Sequence, residues 1–591
     1  MLCAASGKRG RGVRDDSGVV NIDAADLALE EGPPSAPANA LRFGPALVAA
    51  TALAACSGGG SVTSGSGSGS TGGTGTGTGG GSTGGTSITS AQASRFLAQA
   101  TFGATKTDIS TVQSRGYSGW ITDQIALPRT SHWDWLVSNG YNAAANINGT
   151  AGFDNSVWRQ IITEPGQLRQ RVGMALSEIL VVGIGGLQVN WKAFASAAYL
   201  DVLLDGAFGN FRTLLTNITT NAAMASFLTF LGNRKANANT GAVPDENYAR
   251  EIMQLFTIGL YRLNADGSQQ LSGGQPVETY TQNDVSQLAR VFTGLVLDSS
   301  DSTTPDRYRR PLIMDASRHE TGASSFLGAS VPAGTEGMAA IGIALDTLFA
   351  HPNLPPFLSR QLIQRLVTSN PSPAYVGRVA AVFVNNGSGT RGDLGAVVRA
   401  ILLDSEARND PAQSGNSVGK LREPIMRLTA WARAYGATST SGTWPIGDTS
   451  STSTRLAQSF GRSPSVFNFF RPGYTPPNTA LANNNLVAPE LQITDEISVV
   501  GYVNFMRGLV QAATSDVTAD YGALTALATD SQALVDEVNL VLAAGQLSAT
   551  TVMMIRSAVD SISTTATNAA LNRAMTAVLL TLAAPEFITL R

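Results

Sequence analysis

The stretch Pro244-Asp245-Glu246-Asn247-Tyr248-Ala249-Arg250-Glu251-Ile252-Met253-Gln254-Leu255-Phe256-Thr257-Ile258-Gly259-Leu260 reads as a helix. Tyr248, Ile252, Leu255 and Phe256 recur at offsets of four, seven and eight residues, the apolar stripe of a core-facing helix. Glu246, Arg250 and Gln254 share a second face at four-residue spacing. An opposite-charge pair Glu246–Arg250 adds a few tenths of a kcal/mol, and acids in the first turn suit the helix dipole. A solvated helix face accounts for these charges, and so does a carboxylate-bearing site.

Outward from this segment the same periodicity dominates. It predicts helices over 167–182, 194–204, 211–218, 339–350, 356–367, 374–384, 394–403 and 424–435, and in the last third over 534–544, 549–562 and 568–583. Near the start, residues 94–102 form a short amphipathic turn, Asp108 is placed to cap a helix and Gly116 to stop it. Strand signals are scarce. The best is Tyr261-Arg262-Leu263 facing Pro276-Val277-Glu278 across Asp266-Gly267 and Gly273-Gly274. The expected fold is all-α, a mainly helical body over 88–591 with at most a small β-hairpin near 261–282.

What precedes the body cannot fold. Residues 57–87 are Gly, Ser and Thr apart from Val62, so no core is possible and a flexible tether about 30 Å in span is expected. Ahead of it, over 41–56, Arg42 is followed by a short apolar run ending Leu53-Ala54-Ala55-Cys56. The run is too short to span a bilayer, which takes about 20 apolar residues. It resembles the signal segment and lipobox of bacterial lipoproteins. That resemblance implies a lipidated Cys56, a lipid anchor in the cell envelope and, with Ser57 next, sorting to the outer membrane. Residues 1–40 carry four basic and six acidic side chains, the wrong balance for an export leader. The expectation is a non-structural leader or a mis-assigned start, with translation beginning near Leu41.

The 591 residues hold 40 Lys+Arg against 43 Asp+Glu, a net charge of −3, which argues against a nucleic-acid partner. Charged residues are 14% and apolar ones 43%, so the chain buries a core and covers it largely with uncharged polar groups. The only cysteines are Cys3 and Cys56, which leaves the body without a disulfide.

Several stretches together resemble the bacterial "domain of unknown function 1800" (DUF1800) family. They are 95–103 (RFLAQATFG), 244–260, 280–294 (YTQNDVSQLARVFTG), 319–328 (HETGASSFLG), 348–373 (LFAHPNLPPFLSRQLIQRLVTSNPSP) and 463–470 (SPSVFNFF). The resemblance implies a helical, secreted or envelope-associated protein. It also implies a secreted partner of alkaline-phosphatase-like or sulfatase-like type. It supplies no catalytic residues. The pair His319-Glu320 departs from the His-Asp of that motif, keeping the carboxylate but lengthening its reach.

Standard catalytic motifs fail on inspection. Gly415-Asn416-Ser417-Val418-Gly419 matches the serine-hydrolase elbow, but a polar loop precedes it where a buried strand is required. Gly419-Lys420 lacks the rest of a phosphate loop, the glycines at 183, 185 and 186 lack the last of a dinucleotide fingerprint, and 262–273 lacks the carboxylates of a calcium loop. There is no HExxH and no cysteine cluster, which excludes a structural zinc site of either kind. Of three histidines, His132 suits a packed surface turn and His351 suits a helix C-terminus as a cation. His319 lies in a Gly-rich loop, where it either ties the loop down or works with carboxylates.

The candidate catalytic set is therefore Glu246, Arg250, Glu251, Asp284, His319 and Glu320, with Glu246, Glu251, Asp284 and His319 the candidate ligands of a divalent metal. Trp133, Trp135 and Trp444 are sized to stack on sugar rings or to fill a core. Two functions remain. One is a lipid-tethered helical scaffold or binding module acting with a secreted partner. The other is an extracytoplasmic, metal-assisted hydrolase acting on a polymer. Convergence of the candidate set on one accessible cavity separates them.

Overall fold

A computed structural model describes residues 87–410, 418–511 and 516–591. The leader, the signal segment with Cys56, the tether up to residue 86 and the Gly415–Ser417 part of the elbow motif lie outside the described residues.

The body is 52% helical, with strands only in short two-stranded antiparallel sheets. The centre is the helix Gln167–Ser177, buried on nearly every side between the helices Lys192–Gly206 and Leu354–Leu366. Lys192–Gly206 is buried along most of its length, with Asp201 matched inside by the N–H groups of His132 and Trp133. One hydrophobic core runs from Ala93 to Phe587. Chain order is folded back on itself: Ser90–Ala100 packs against Lys106–Ala126 and also against Ser531–Ala543. Arg95 fastens this closure, its Nε donating to the Arg591 carbonyl at 2.6 Å and its Nη1 to that of Asn409 at 2.8 Å. Among the described residues no helix is long and apolar enough to cross a membrane.

The expected helices are present, several with adjusted ends. The first is a full helix, Ser90–Ala100, closed by a capping box of Thr89 and Gln92. Asp108 is not the cap of the next; Thr105 is, accepting from the Asp108 N–H at 3.0 Å, while Asp108 pairs with Arg433 at 3.1 Å. Gly116 does break that helix, at φ 69°. The helix expected over 167–182 stops at Ser177, because Arg365 Nη2 takes the Glu178 carbonyl at 2.8 Å and turns the chain out of the helix.

The hairpin stands where expected. Arg262 donates to the Val277 carbonyl at 2.7 Å and Thr279 to that of Leu260 at 2.9 Å, with Leu271–Ser272 and Gln275–Pro276 pairing across Gly273-Gly274. It is not alone. Four further sheets join Leu295–Val296 to Ile313–Met314, Ser324–Phe326 to Ala329–Val331, Lys420–Leu421 to Thr589–Leu590, and Thr438–Ser439 to Val517–Thr518. Their members are two or three residues long, below the length at which alternation is visible in a sequence.

The segment that opened the reading holds a surprise in its second half. Asn247–Glu251 is α-helical, but Ile252–Thr257 widens into a π-helix. Thr257 Oγ1 donates to the carbonyl of Ile252 five residues back, stabilising the wide turn. A π-turn advances the helical phase, so Met253 and Phe256 go fully into the core while Leu255, expected there, is only partly buried at its edge beside Gln254.

Two of the three histidines differ from expectation. His132 opens the helix His132–Ser138 and is 1% exposed, not on a surface turn. Its Nδ1 lies 3.1 Å from Ser156 Oγ, and burial with two nearby arginines drives its pKa down to about 3, so it is neutral. His351 does occupy the C-cap of Gly337–Ala350, but as a neutral acceptor for the Asn353 N–H at 3.1 Å. Burial and Arg262 lower its pKa, which removes the cationic role. Trp133 and Trp444 are core residues, and Trp135 stacks on Tyr141.

Candidate functional site

The helix Leu354–Leu366 begins with Pro355 and Pro356, residues suited to a first turn where no N–H partner is needed. From there it carries two stripes. Leu354, Leu358, Leu362 and Leu366 recur every four residues and are buried in the core. Phe357, Arg360, Gln361, Gln364 and Arg365, at offsets of three, four, seven and eight, line a cleft of about 270 Å³. The facing walls come from elsewhere in the chain. They are Glu178 and Ile179 after the central helix, Gln254 and Leu255 on the π-turn, and Val466, Phe467 and Pro472 in the loop that follows residue 461. That loop is held against the segment that follows the central helix by close backbone approach. The Ile184 N–H donates to the Gly461 carbonyl at 2.9 Å, and a Cβ on Gly183 would overlap the Ser463 carbonyl oxygen.

Beneath the cleft lies a buried knot of charge. Arg365 and Glu178 face each other at 3.5 Å. Lys420 bridges Glu423 at 3.3 Å and Glu490 at 3.0 Å, and also donates to the Arg365 carbonyl at 2.8 Å. Gln458 Nε2 donates to Glu423 Oε2 at 2.8 Å. Arg171 donates to the Arg365 carbonyl as well. Burial and the neighbouring Glu423 raise the Glu178 pKa well above the ordinary carboxylate range, against the pull of Arg365 and Lys420. Burial works against ionised Glu423 too, but Lys420, Arg171 and the hydrogen bonds from Glu178 and Gln458 outweigh it and hold the carboxylate charged. Glu490 is raised by burial despite Lys420. The knot is incompletely satisfied: among the described residues Arg171 Nε and Nη1 and Glu490 Oε2 have no hydrogen-bond partner, and Glu178 Oε2 and Arg365 Nε have only each other, at the 3.5 Å of their ion pair. Buried groups left so are rare and expensive, at about 1–3 kcal/mol each. Glu178, buried between Arg365 and Glu423, lines the cleft itself.

The residues singled out in the sequence lie elsewhere and have separate tasks. Glu246 accepts from Ser286 Oγ at 2.5 Å, Gln282 Nε2 at 2.8 Å and Arg250 Nη2 at 3.3 Å; Arg250 also donates to Gln282. Asp284 caps its own helix in a capping box with Thr281 and accepts the Leu327 N–H at 2.8 Å. His319 is 3% exposed, and its Nδ1 sits 3.0 Å from the Thr293 carbonyl, tying the loop down. Glu320 accepts the Gly322 N–H at 3.1 Å and faces Arg290 at 3.7 Å. The space around His319 and Glu320 is about 10 Å³, enough for one water at most. Among the described residues no three His, Cys, Asp or Glu side chains gather as a metal site. Glu251 is the exception: its buried Oε2 has no partner, and burial lifts its pKa to about 7 against the opposing effect of Arg250.

Of the opening segment, then, only Gln254 and Leu255 reach the cleft, where Gln254 Oε1 accepts from Tyr280 at 3.1 Å. The rest of the site was missed. The polar stripe on Leu354–Leu366 was a readable signal, at the same spacing as any apolar stripe. The knot had only a faint one: Lys420, Arg422, Glu423 and Arg427 crowd a segment that otherwise reads as core.

Fold and cleft together define a large helical protein with a charged, incompletely satisfied interior opening into one side groove. The chain belongs to the DUF1800 family: the model of that family, described as a protein of unknown function, matches residues 95–589. No curated protein and no solved structure matches it.

Proposed function

We propose that this protein is an envelope-anchored binding module, held on the outer membrane through lipidated Cys56 and a 31-residue tether, and acting with a secreted partner of alkaline-phosphatase-like or sulfatase-like type. The observation that carries the binding role is the cleft lined by Phe357, Arg360, Gln361, Gln364 and Arg365, in which the Arg360 guanidinium has no partner among the described residues. Glu246, Asp284 and His319, by contrast, have hydrogen bonds that hold the fold. Affinity purification from solubilised membranes tests the partnership: a stoichiometric protein is expected, and its absence at native expression overturns it. Radiolabelled palmitate tests the anchor, with label expected on the wild type and lost in Cys56→Ala.

A second reading, a metal-assisted hydrolase acting on a polymer, has Glu251 in its favour, since a carboxyl titrating near 7 is poised for acid–base work. Calorimetric titration with a divalent metal decides it. No binding, together with an unaltered His319→Ala protein, removes this reading.

A further inference from the structure

The cleft does not end at its own rim. A second depression of about 660 Å³ runs past the hairpin and the 368–373 turn, and the two share Arg360 and Gly267. They form one groove with Arg360 at its waist. A groove of this kind receives a stretch of chain more readily than a single small molecule, for which one enclosed pocket suffices.

Its walls alternate two kinds of surface. Phe357 and Phe467 present aromatic faces, and Phe467 is 38% exposed. Between and beyond them stand amides and hydroxyls, Gln254 and Gln361 on one side of the waist, Asn370 and Ser372 on the other. A pyranose ring has the same division, an apolar C–H face and a hydroxyl rim.

Both signs line the groove, and one of its cations stands unpaired. Arg360 makes no hydrogen bond or ion pair among the described residues. Arg471 stacks on Phe467 at 4.7 Å and has no carboxylate partner among the described residues. Of the acids nearby, Glu406 is paired, accepting from Ser372 at 2.6 Å and Arg378 at 3.0 Å, while Asp266 accepts only from Ser268 and keeps its charge at the outer edge. At the inner end Glu178 faces Arg365. A guanidinium without a counter-ion at the waist of a groove is a ready fork for a carboxylate.

We infer that the groove binds an acidic sugar chain, with Arg360 pairing a uronate-type carboxylate while Phe357 and Phe467 stack on the rings. This rests on the binding role proposed above. The test is calorimetry on the full-length protein with tetragalacturonate, the neutral cellotetraose and hexaglutamate. Tetragalacturonate is expected to bind, to weaken with salt, and to lose about tenfold or more in affinity in Arg360→Gln with partial recovery in Arg360→Lys. Both variants should keep the wild-type melting temperature, because Arg360 holds nothing in place. Equal affinity for cellotetraose, unchanged binding by Arg360→Gln, or binding of hexaglutamate in place of the sugar overturns the inference. If cellotetraose binds and Phe467→Ala abolishes it, the cleft remains a binding site and only the acidic ligand is wrong. If Phe467→Ala and Gln254→Ala change the affinity of none of the three, the cleft reading itself falls.

Discussion

Two regions of this molecule carry clusters of polar residues, and they differ in how those residues are satisfied. Around His319 the polar atoms are matched: the imidazole to a carbonyl, Glu320 to an N–H and an arginine, Asp284 to its own cap. The space left there holds a water at most. Around Glu178 the reverse is true. Arg171 and Glu490 keep buried atoms without a hydrogen-bond partner among the described residues, and the cleft above them is some thirty times roomier, about 270 against 10 Å³. A scarce residue in a glycine-rich loop is therefore poor evidence of chemistry when its hydrogen bonds are complete. Unmatched groups beside open space are better evidence, since folding alone gives no reason to keep them.

The contrast is broken or sharpened by substitution. Lys420→Met has the largest expected effect. It strands Glu423 and Glu490 in the interior, so urea unfolding should show a loss of about 3–5 kcal/mol, against under about 1 kcal/mol for Glu320→Gln, whose ion pair is partly exposed. Equal losses at the two sites would erase the distinction drawn here.

Glu251 gives the next largest effect, through pH. Its folded pKa of about 7 lies above the ordinary 4.5, so its contribution to stability is fully present below pH 4.5. As pH rises through 7 the unfolded chain ionises first and that stability is lost, by about 3 kcal/mol in all. Urea midpoints of the wild type should fall across this window relative to Glu251→Gln, and parallel curves would contradict the assignment.

Gly183→Ala is expected to cost about 1–3 kcal/mol, since its Cβ must displace the Ser463 backbone. It should also loosen the wall that carries Phe467, seen as faster amide exchange over 463–473. The smallest effect is Arg360→Gln, within about 0.5 kcal/mol of wild type in urea, because the side chain it removes has no partner. A larger loss would mean that Arg360 serves the fold.

The helical class was open to sequence reading because it rests on a local property. Apolar residues at 3.6-residue spacing mark a helix wherever they occur, and stretches such as Leu394–Leu403 and Pro373–Val384 matched expectation almost to the residue. The family could be recognised for a related reason, since long runs such as 280–294 lie unbroken in the chain. The π-turn at Ile252–Thr257 could not be foreseen, since an extra residue in one turn leaves no mark on composition. It changed which residues of the best-read helix face the cleft.

Sequence alone determined that this chain makes a bridge-free helical body behind a Gly/Ser/Thr segment, because periodicity, helix caps and low complexity are each written within a few residues. Tertiary structure alone decided where polar groups meet. Glu178, Arg365, Glu490 and the neighbours Lys420 and Glu423 come from four segments far apart in the chain, and only packing brings Glu178 within 3.5 Å of Arg365 and Lys420 within 3.0 Å of Glu490. An unmatched charge is a property of its surroundings, and those surroundings exist only once the chain has folded.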